Sequence, residues 1–193
     1  DIITNHTADV IKYTDCHGAD GSGWSIEGTL CPYKSLAQTA NGDKYETVIP
    51  KGMAKLKSPE WLNDPKFYHN QGDSTFKGEN SVYGDFFGLD DINTNDPDVV
   101  SGMTDIFKNI IDEFKPDGFR IDTVKHVNIE FWQQFSPALT AHAKSVGIDN
   151  FFMFGEVYSG DVKVLSKYTT KGKLPSVLDF GFQQAVAETL VEQ

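Results

Sequence analysis

Apolar residues along this chain recur with two different spacings, and the switches between them predict strands alternating with helices. Ile2-Ile3-Thr4 is a short buried run of strand type. A helix follows much later: Val99, Val100, Met103, Ile106, Phe107, Ile110, Ile111 and Phe114 return every three to four residues and make one stripe. Asp96-Pro97 suits its start and Pro116-Asp117-Gly118 its stop. Gly118 to Asp122 then reads as a strand, and a second helix begins near Asn128, with Phe131, Trp132, Phe135, Leu139 and Val146 on one side. Pro137 is expected to kink or split that helix. Phe151-Phe152-Met153-Phe154 is apolar throughout, as a strand buried on both faces would be. A shorter helix holds Val162, Val164 and Leu165; Ser176 to Phe180 forms a further strand, and Val186 to Gln193 reads as a helix cut off without a cap.

Strand and helix alternating in this way imply an α/β fold with a parallel sheet. Between Thr7 and Asn95 the chain is irregular, rich in Gly, Asn, Asp and aromatic residues. That stretch is too long for a structureless loop and reads as a small inserted domain. A (β/α)8 barrel of about 250 residues uses about 30 per unit, so what remains outside the insertion makes little more than three units. The chain is therefore an arc of such a barrel or a small open sheet, and its first and last residues read as the interior of a longer protein.

Charge narrows the choice of partner. The 193 residues carry a formal net charge of −11 at pH 7, which repels phosphate backbones and argues against nucleic acid. No apolar run approaches the roughly 20 residues that cross a bilayer. An acidic surface suits a neutral ligand such as a sugar. The two cysteines, Cys16 and Cys31, can pair, closing a loop worth roughly 3 kcal/mol and pointing to an oxidising compartment. Two free thiols fit the sequence equally well.

In parallel α/β folds the functional residues collect at the C-terminal ends of the strands. Three such ends are polar without a packing reason: Asn5-His6, Arg120 to His126, and Gly155-Glu156. Alternation puts Arg120 and Asp122 on one strand face. The Arg keeps the carboxylate ionised, as a nucleophile requires. A structural ion pair reads the same way. Glu156 follows an apolar run; against apolar walls its pKa is expected to rise, which keeps a proton donor loaded. A Glu emerging into solvent is the plainer alternative. Asp122 and Glu156 stand 34 residues apart, one βα unit, hence on neighbouring strand ends. Two carboxyls so placed suit glycoside hydrolysis, where a retaining pair stands roughly 5–5.5 Å apart.

Asp1-Ile2-Ile3-Thr4-Asn5-His6, Gly118-Phe119-Arg120-Ile121-Asp122-Thr123-Val124-Lys125-His126 and Gly155-Glu156-Val157 resemble, in order, the first three sequence blocks of the α-amylase family of glycoside hydrolases. Leu89-Asp90-Asp91-Ile92-Asn93 resembles a further block at the end of that family's inserted domain. The resemblance implies a partial (β/α)8 barrel: residues 1–6 as its third strand, 7–95 as the inserted domain, and 96–193 as the third to sixth helices. It implies cleavage of α-1,4-glucosidic bonds in starch-like α-glucans, with Asp122 as nucleophile and Glu156 as general acid/base. Arg120 positions the nucleophile, His6 bonds the sugar beside the cleaved bond, and Lys125 and His126 lie on the leaving-group side. Asn5, Asp91 and the His126 carbonyl match the ligands of a structural Ca2+, all hard oxygen donors. A secreted, monomeric enzyme acting on a poly- or oligosaccharide is expected.

Two departures stand out. An Asp, Asp90, occupies the place where the family usually has Pro, so the local turn is expected to differ. The family's fourth block, with a third carboxylate, is absent, and these 193 residues alone are expected to be inactive. Asn5-His6-Thr7 matches a glycosylation sequon but sits on a buried strand end. Asp91 to Gly102 imitates an EF-hand loop, yet lacks its Gly and its terminal Glu. Trp24, Trp61, Tyr83, Phe86 and Phe87 serve a domain core or a sugar platform alike. Three rival functions use the same residues: glucan transfer, non-catalytic sugar binding, and a metal hydrolase built on His6 and His126.

Overall fold

The computed structural model describes residues 1–22 and 31–190 and divides into two units, Asp1–Asn5 with Thr94–Gln193, and His6–Asn93. Along the chain the first strand is β1 (Ile2–Ile3). The His6–Asn93 unit contributes β2 (Lys12–Tyr13), α1 (Thr14–His17), α2 (Leu36–Ala40), β3 (Thr47–Val48) and α3 (Asn80–Tyr83). There follow α4 (Pro97–Phe114), β4 (Gly118–Asp122), α5 (Ile129–Ser145), β5 (Phe152–Gly155), α6 (Val162–Thr170), β6 (Ser176–Val177) and α7 (Phe180–Leu190).

The first unit is built on a four-stranded sheet of order β1-β4-β5-β6, every pair parallel. Its strands are neighbours in the order in which the chain visits them, always moving to the same side. A doubly wound sheet reverses direction at a switch point, whereas a barrel does not. The sheet is thus an arc of a (β/α)8 barrel rather than an open doubly wound sheet. Gly118 begins β4 because a Cβ there would lie 1.9 Å from the Phe152 carbonyl oxygen, so no other residue fits against β5.

Helix α4 forms as its pattern predicts. Asp96 caps it by accepting the Asp98 N–H, Pro97 occupies its first turn, and Lys115, in the left-handed region at φ 47°, ends it. Val99, Met103, Phe107 and Ile111 are buried, but Phe114, the last member of the stripe, is exposed. Phe107 meets Phe119 of β4 and Phe135 of α5 edge-on, at centroid distances of 5.9 and 5.7 Å. Phe131, Trp132, Phe135 and Leu139 are fully buried along α5.

Of the two outcomes expected at Pro137, a kink or a split, the split does not occur: α5 runs unbroken from Ile129 to Ser145. Buried residues on both sides of the proline, Phe131, Trp132 and Phe135 before it and Leu139 after it, anchor both halves of the helix, and this packing outweighs the lost backbone bond. Within these 193 residues the strand after α5 is covered on one face, with Met153 fully buried and Phe152 52% exposed. Phe152 and Ile3, which is 44% exposed, lie on the inward face of the arc, which in a closed barrel is filled by side chains of the other strands. Finally, β6 stops at Val177, because Asp179 accepts the Phe182 N–H and starts α7 instead.

In the His6–Asn93 unit, β2 and β3 pair antiparallel, Lys12 with Val48 and Tyr13 with Thr47. Cys16 and Cys31 are joined by a disulfide, which resolves the choice the sequence left open. A loop of that length is worth about 3 kcal/mol through the unfolded chain. Cys31 packs with Tyr13 and Tyr45, whose rings stack at 4.7 Å. The unit has little regular structure, and aspartates supply much of what a sheet would. Asp90 accepts the N–H groups of Val10 and Ile11 at 3.0 and 3.1 Å, and its Oδ2 lies 2.5 Å from Lys57 Nζ. Asp85 accepts from the Tyr13 hydroxyl at 2.5 Å and from the Asp91 N–H at 3.1 Å. Burial pushes the Asp85 and Asp90 carboxyls above the ordinary carboxylate range, with Lys57 opposing the rise at Asp90. The departure at Asp90 is therefore an inward-turned brace.

Candidate active site

Strand β4 delivers Arg120 and Asp122 to one face, as period two requires. Arg120 Nη1 donates to Asp122 Oδ1 at 2.6 Å, and Nη2 lies 3.1 Å from Glu156 Oε2. One guanidinium thus ties both carboxyl groups in a planar fork. The ladder continues past β5, since the Glu156 N–H donates to the Ile121 carbonyl at 2.8 Å. Glu156 therefore stands beside Asp122 on the neighbouring strand. Adjacent strands lie about 4.8 Å apart, close to the roughly 5–5.5 Å of a retaining carboxylate pair.

Glu156 has polar partners on both sides of its Oε2. Besides Arg120, the Thr123 N–H donates to its Oε2 at 3.2 Å. Beneath it, Gly155 is packed so tightly that an added Cβ would lie 2.8 Å from Val124 Cγ2. Both carboxyl side chains are a quarter exposed, so a ligand can reach them.

After Asp122 the chain turns sharply. Thr123 is in the left-handed region at φ 49°, ψ 31°, which costs a non-glycine residue roughly 1–2 kcal/mol and is unusual for a β-branched one. Its carbonyl accepts the His126 N–H at 2.9 Å, closing a single 3-10 turn over Val124–His126. That turn carries Lys125, whose ammonium donates to the Tyr158 carbonyl at 3.1 Å. The Tyr168 hydroxyl donates to the Lys125 carbonyl at 3.1 Å, and burial raises this phenol to about 12, so it stays a donor.

Arg120, Asp122, Glu156 and Lys125 are thus brought to one strand-end cluster. His6 and Asp91 belong to the other unit, where they pair as an antiparallel bridge, and the His6 ring stacks on Phe86 at 5.3 Å. Asp91 Oδ2 lies 2.5 Å from His69 Nδ1. Asn5 and Asp91 are both buried. Among the described residues no group of three or more His, Cys, Asp or Glu side chains could hold a metal. That gives no support to the metal-hydrolase rival; a calcium held by an amide, a carboxylate and a backbone carbonyl would not form such a group. Trp24 lies outside the described residues; Phe87 is exposed rather than part of a core.

Sequence reasoning missed Asp1, Thr123 and Tyr168. Asp1 Oδ1 lies 3.2 Å from Arg120 Nη1. The register places it there, since Ile2 pairs with Ile121 and Asp1 falls opposite Arg120. No sequence pattern marks a left-handed threonine or the distant Tyr168.

Carboxyl groups on neighbouring strand ends, tied by one arginine, place this chain in the class of β/α-barrel proteins with a site at the C-terminal ends of the strands. A family model described as alpha amylase, catalytic domain, matches residues 1–193, and the chain belongs to the α-amylase family. It is 47% identical over 198 residues to an alpha-amylase of Streptomyces lividans, covering 96% of this chain and 22% of that protein. It is 30% identical over 138 residues to a cyclomaltodextrin glucanotransferase of Klebsiella oxytoca, covering 65% of this chain and 20% of that protein. Among solved structures it resembles the Geobacillus thermoleovorans alpha-amylase complexed with acarbose, with a TM-score of 0.58 and 26% identity, covering 72% of this chain and 29% of that one. The chain thus spans between a fifth and a third of the length of these relatives. No helix among the described residues is long and apolar enough to cross a membrane.

Proposed function

We propose that the protein carrying this chain is a retaining, endo-acting glycoside hydrolase that cleaves α-1,4-glucosidic bonds in starch-like α-glucans. The observation that carries this reading is the single Arg120 guanidinium holding Asp122 and Glu156 on adjacent strand ends. Asp122, held by Arg120, attacks the anomeric carbon; Glu156 protonates the leaving oxygen and then deprotonates the incoming water. Lys125 and His126 follow directly on the nucleophile's strand and suit contacts on the leaving-group side. His6 is assigned to the sugar beside the cleaved bond. The Streptomyces relative and the acarbose complex support a glucan or oligosaccharide substrate. The Cys16–Cys31 disulfide supports secretion. The test is proton NMR of fresh digests of malto-oligosaccharide by the complete enzyme. The first products are expected as the α-anomer, and initial release of the β-anomer overturns the retaining assignment.

The glucanotransferase relative supports a second reading, transfer of the glucosyl unit to another sugar instead of water. The chemistry up to the covalent intermediate is shared, so the ratio of transfer to hydrolysis products separates the two.

We further propose that Asn5, Asp91 and the His126 carbonyl hold a structural Ca2+. Their donors are an amide oxygen, a carboxylate and a backbone carbonyl, the hard oxygens this ion takes. A cation bound only by the native state stabilises it by about 2.7 kcal/mol at a hundred times its dissociation constant. Excess chelator is expected to lower the melting temperature by several degrees, and Asn5→Ala to remove that response. A melting curve unchanged after confirmed loss of metal sinks the assignment.

A further inference from the structure

The nucleophile's strand is followed by a single 3-10 turn, Val124–His126. Its own backbone supplies two bonds, from the His126 N–H to the Thr123 carbonyl at 2.9 Å and from the Val127 N–H to the Val124 carbonyl at 3.3 Å. Such a turn has poor hydrogen-bond geometry and is too short to hold its shape unaided. Two helices grip it. Trp132 Nε1 of α5 donates to the Val124 carbonyl at 3.2 Å, and the Tyr168 hydroxyl of α6 donates to the Lys125 carbonyl at 3.1 Å.

These two helices are themselves tied together. Gln133 and Ser136 of α5 donate to the carbonyls of Lys171 and Lys173, just beyond α6, at 3.0 and 3.1 Å. The Leu174 N–H donates back to the Tyr168 carbonyl at 3.1 Å. Gly172 permits that fold of the chain, since a Cβ there would lie 2.6 Å from the same oxygen. Tyr168 is thus anchored, and it is buried. A phenylalanine would bury the same ring; what the hydroxyl adds is the bond to the turn.

Lys125 carries this hold towards the acid. Its ammonium donates to the carbonyl of Tyr158, two residues after Glu156. One of its three N–H donors is thereby taken up within the chain, which sets the direction of the others. A lysine stem rotates freely, so an ammonium at a set position needs a fixed root.

We propose that Tyr168 is a positioning residue, whose hydroxyl fixes the backbone of Lys125 and so places the Lys125 ammonium on the leaving-group side of the cleaved bond. This rests on the reading of Lys125 as a leaving-group contact. Tyr168 acts through the peptide that joins Lys125 to His126, and not on the sugar itself.

The test is Tyr168→Phe in the complete enzyme, assayed with calcium in excess. Maltotetraose and α-maltosyl fluoride share a maltosyl group, but only the first puts sugar on the leaving-group side. Tyr168→Phe is expected to lower kcat/KM on maltotetraose about fivefold, the scale of one hydrogen bond, and to change it less than about twofold on the fluoride. Lys125→Met should show the same selectivity with a loss of about thirtyfold, the scale of a hydrogen bond to a charged group.

Residues that act through one another do not add. In the Lys125→Met background, Tyr168→Phe should therefore cost less than about twofold on maltotetraose. A tyrosine that only supports the fold would lose on both substrates alike, and as much without Lys125 as with it. Either of those results, or no loss from Tyr168→Phe, overturns the proposal while a selective Lys125→Met leaves the leaving-group reading standing. If Lys125→Met itself loses equally on both substrates, or on neither, that reading falls and the proposal with it.

Discussion

Replacing Asp122 by Asn in the complete enzyme is expected to lower starch turnover by about 10⁴-fold or more, the scale on which loss of a nucleophile acts. Starch binding should stay nearly unchanged. The reason is geometric. Asp122 Oδ1 sits 2.6 Å from Arg120 Nη1, and an Asn carbonyl oxygen can keep that contact, so shape and pairing survive. What is lost is the anionic oxygen that forms the covalent bond, because an amide nitrogen does not attack an anomeric carbon. Mass spectrometry of a reaction quenched during turnover should find the glycosyl adduct in the wild type and none in Asp122→Asn. Activity above about a few per cent of wild type, in protein shown free of deamidation, removes Asp122 from the nucleophile's role.

The second large effect is expected within the His6–Asn93 unit. Lys57 and Asp90 form an ion pair whose side chains are 7% and 2% exposed. The ammonium also donates to the Tyr68 hydroxyl at 3.1 Å and lies over that ring at 4.3 Å from its centroid. Lys57→Met fills the volume but leaves a buried carboxylate without its cation, a change that typically costs about 3–5 kcal/mol. For a domain of this size that corresponds to a fall in Tm of roughly 10 °C. Asp90→Asn added to Lys57→Met should recover part of the loss. The neutral amide still accepts from Val10 and Ile11, and no charge is then stranded. Thermal scans of the three variants with calcium in excess measure this; a drop in Lys57→Met below about 1 kcal/mol would falsify it.

The same pair shows where reading from sequence stops. Asp90 is visible as a departure from the family's pattern, but Lys57 lies 33 residues earlier in a stretch without periodicity. A charge pair between such positions leaves no local signal, because only tertiary packing brings them together.

By itself the sequence determined most elements of the barrel arc and the strand ends on which Asp122 and Glu156 stand. Period 3.6 over Val99 to Ile111 and period two over Gly118 to Asp122 are local consequences of which side chains must be buried. Their order implies parallel strands, and parallel strands put Asp122 and Glu156 at one end. Tertiary structure decided the rest. The strand order β1-β4-β5-β6 chose a barrel arc over an open sheet, and packing on both flanks carried α5 through Pro137. Folding joined Cys16 to Cys31. It also gave Glu156 a guanidinium and a backbone N–H as partners. Each of these is set by groups distant in the chain that meet only on folding, and so each lay beyond local pattern.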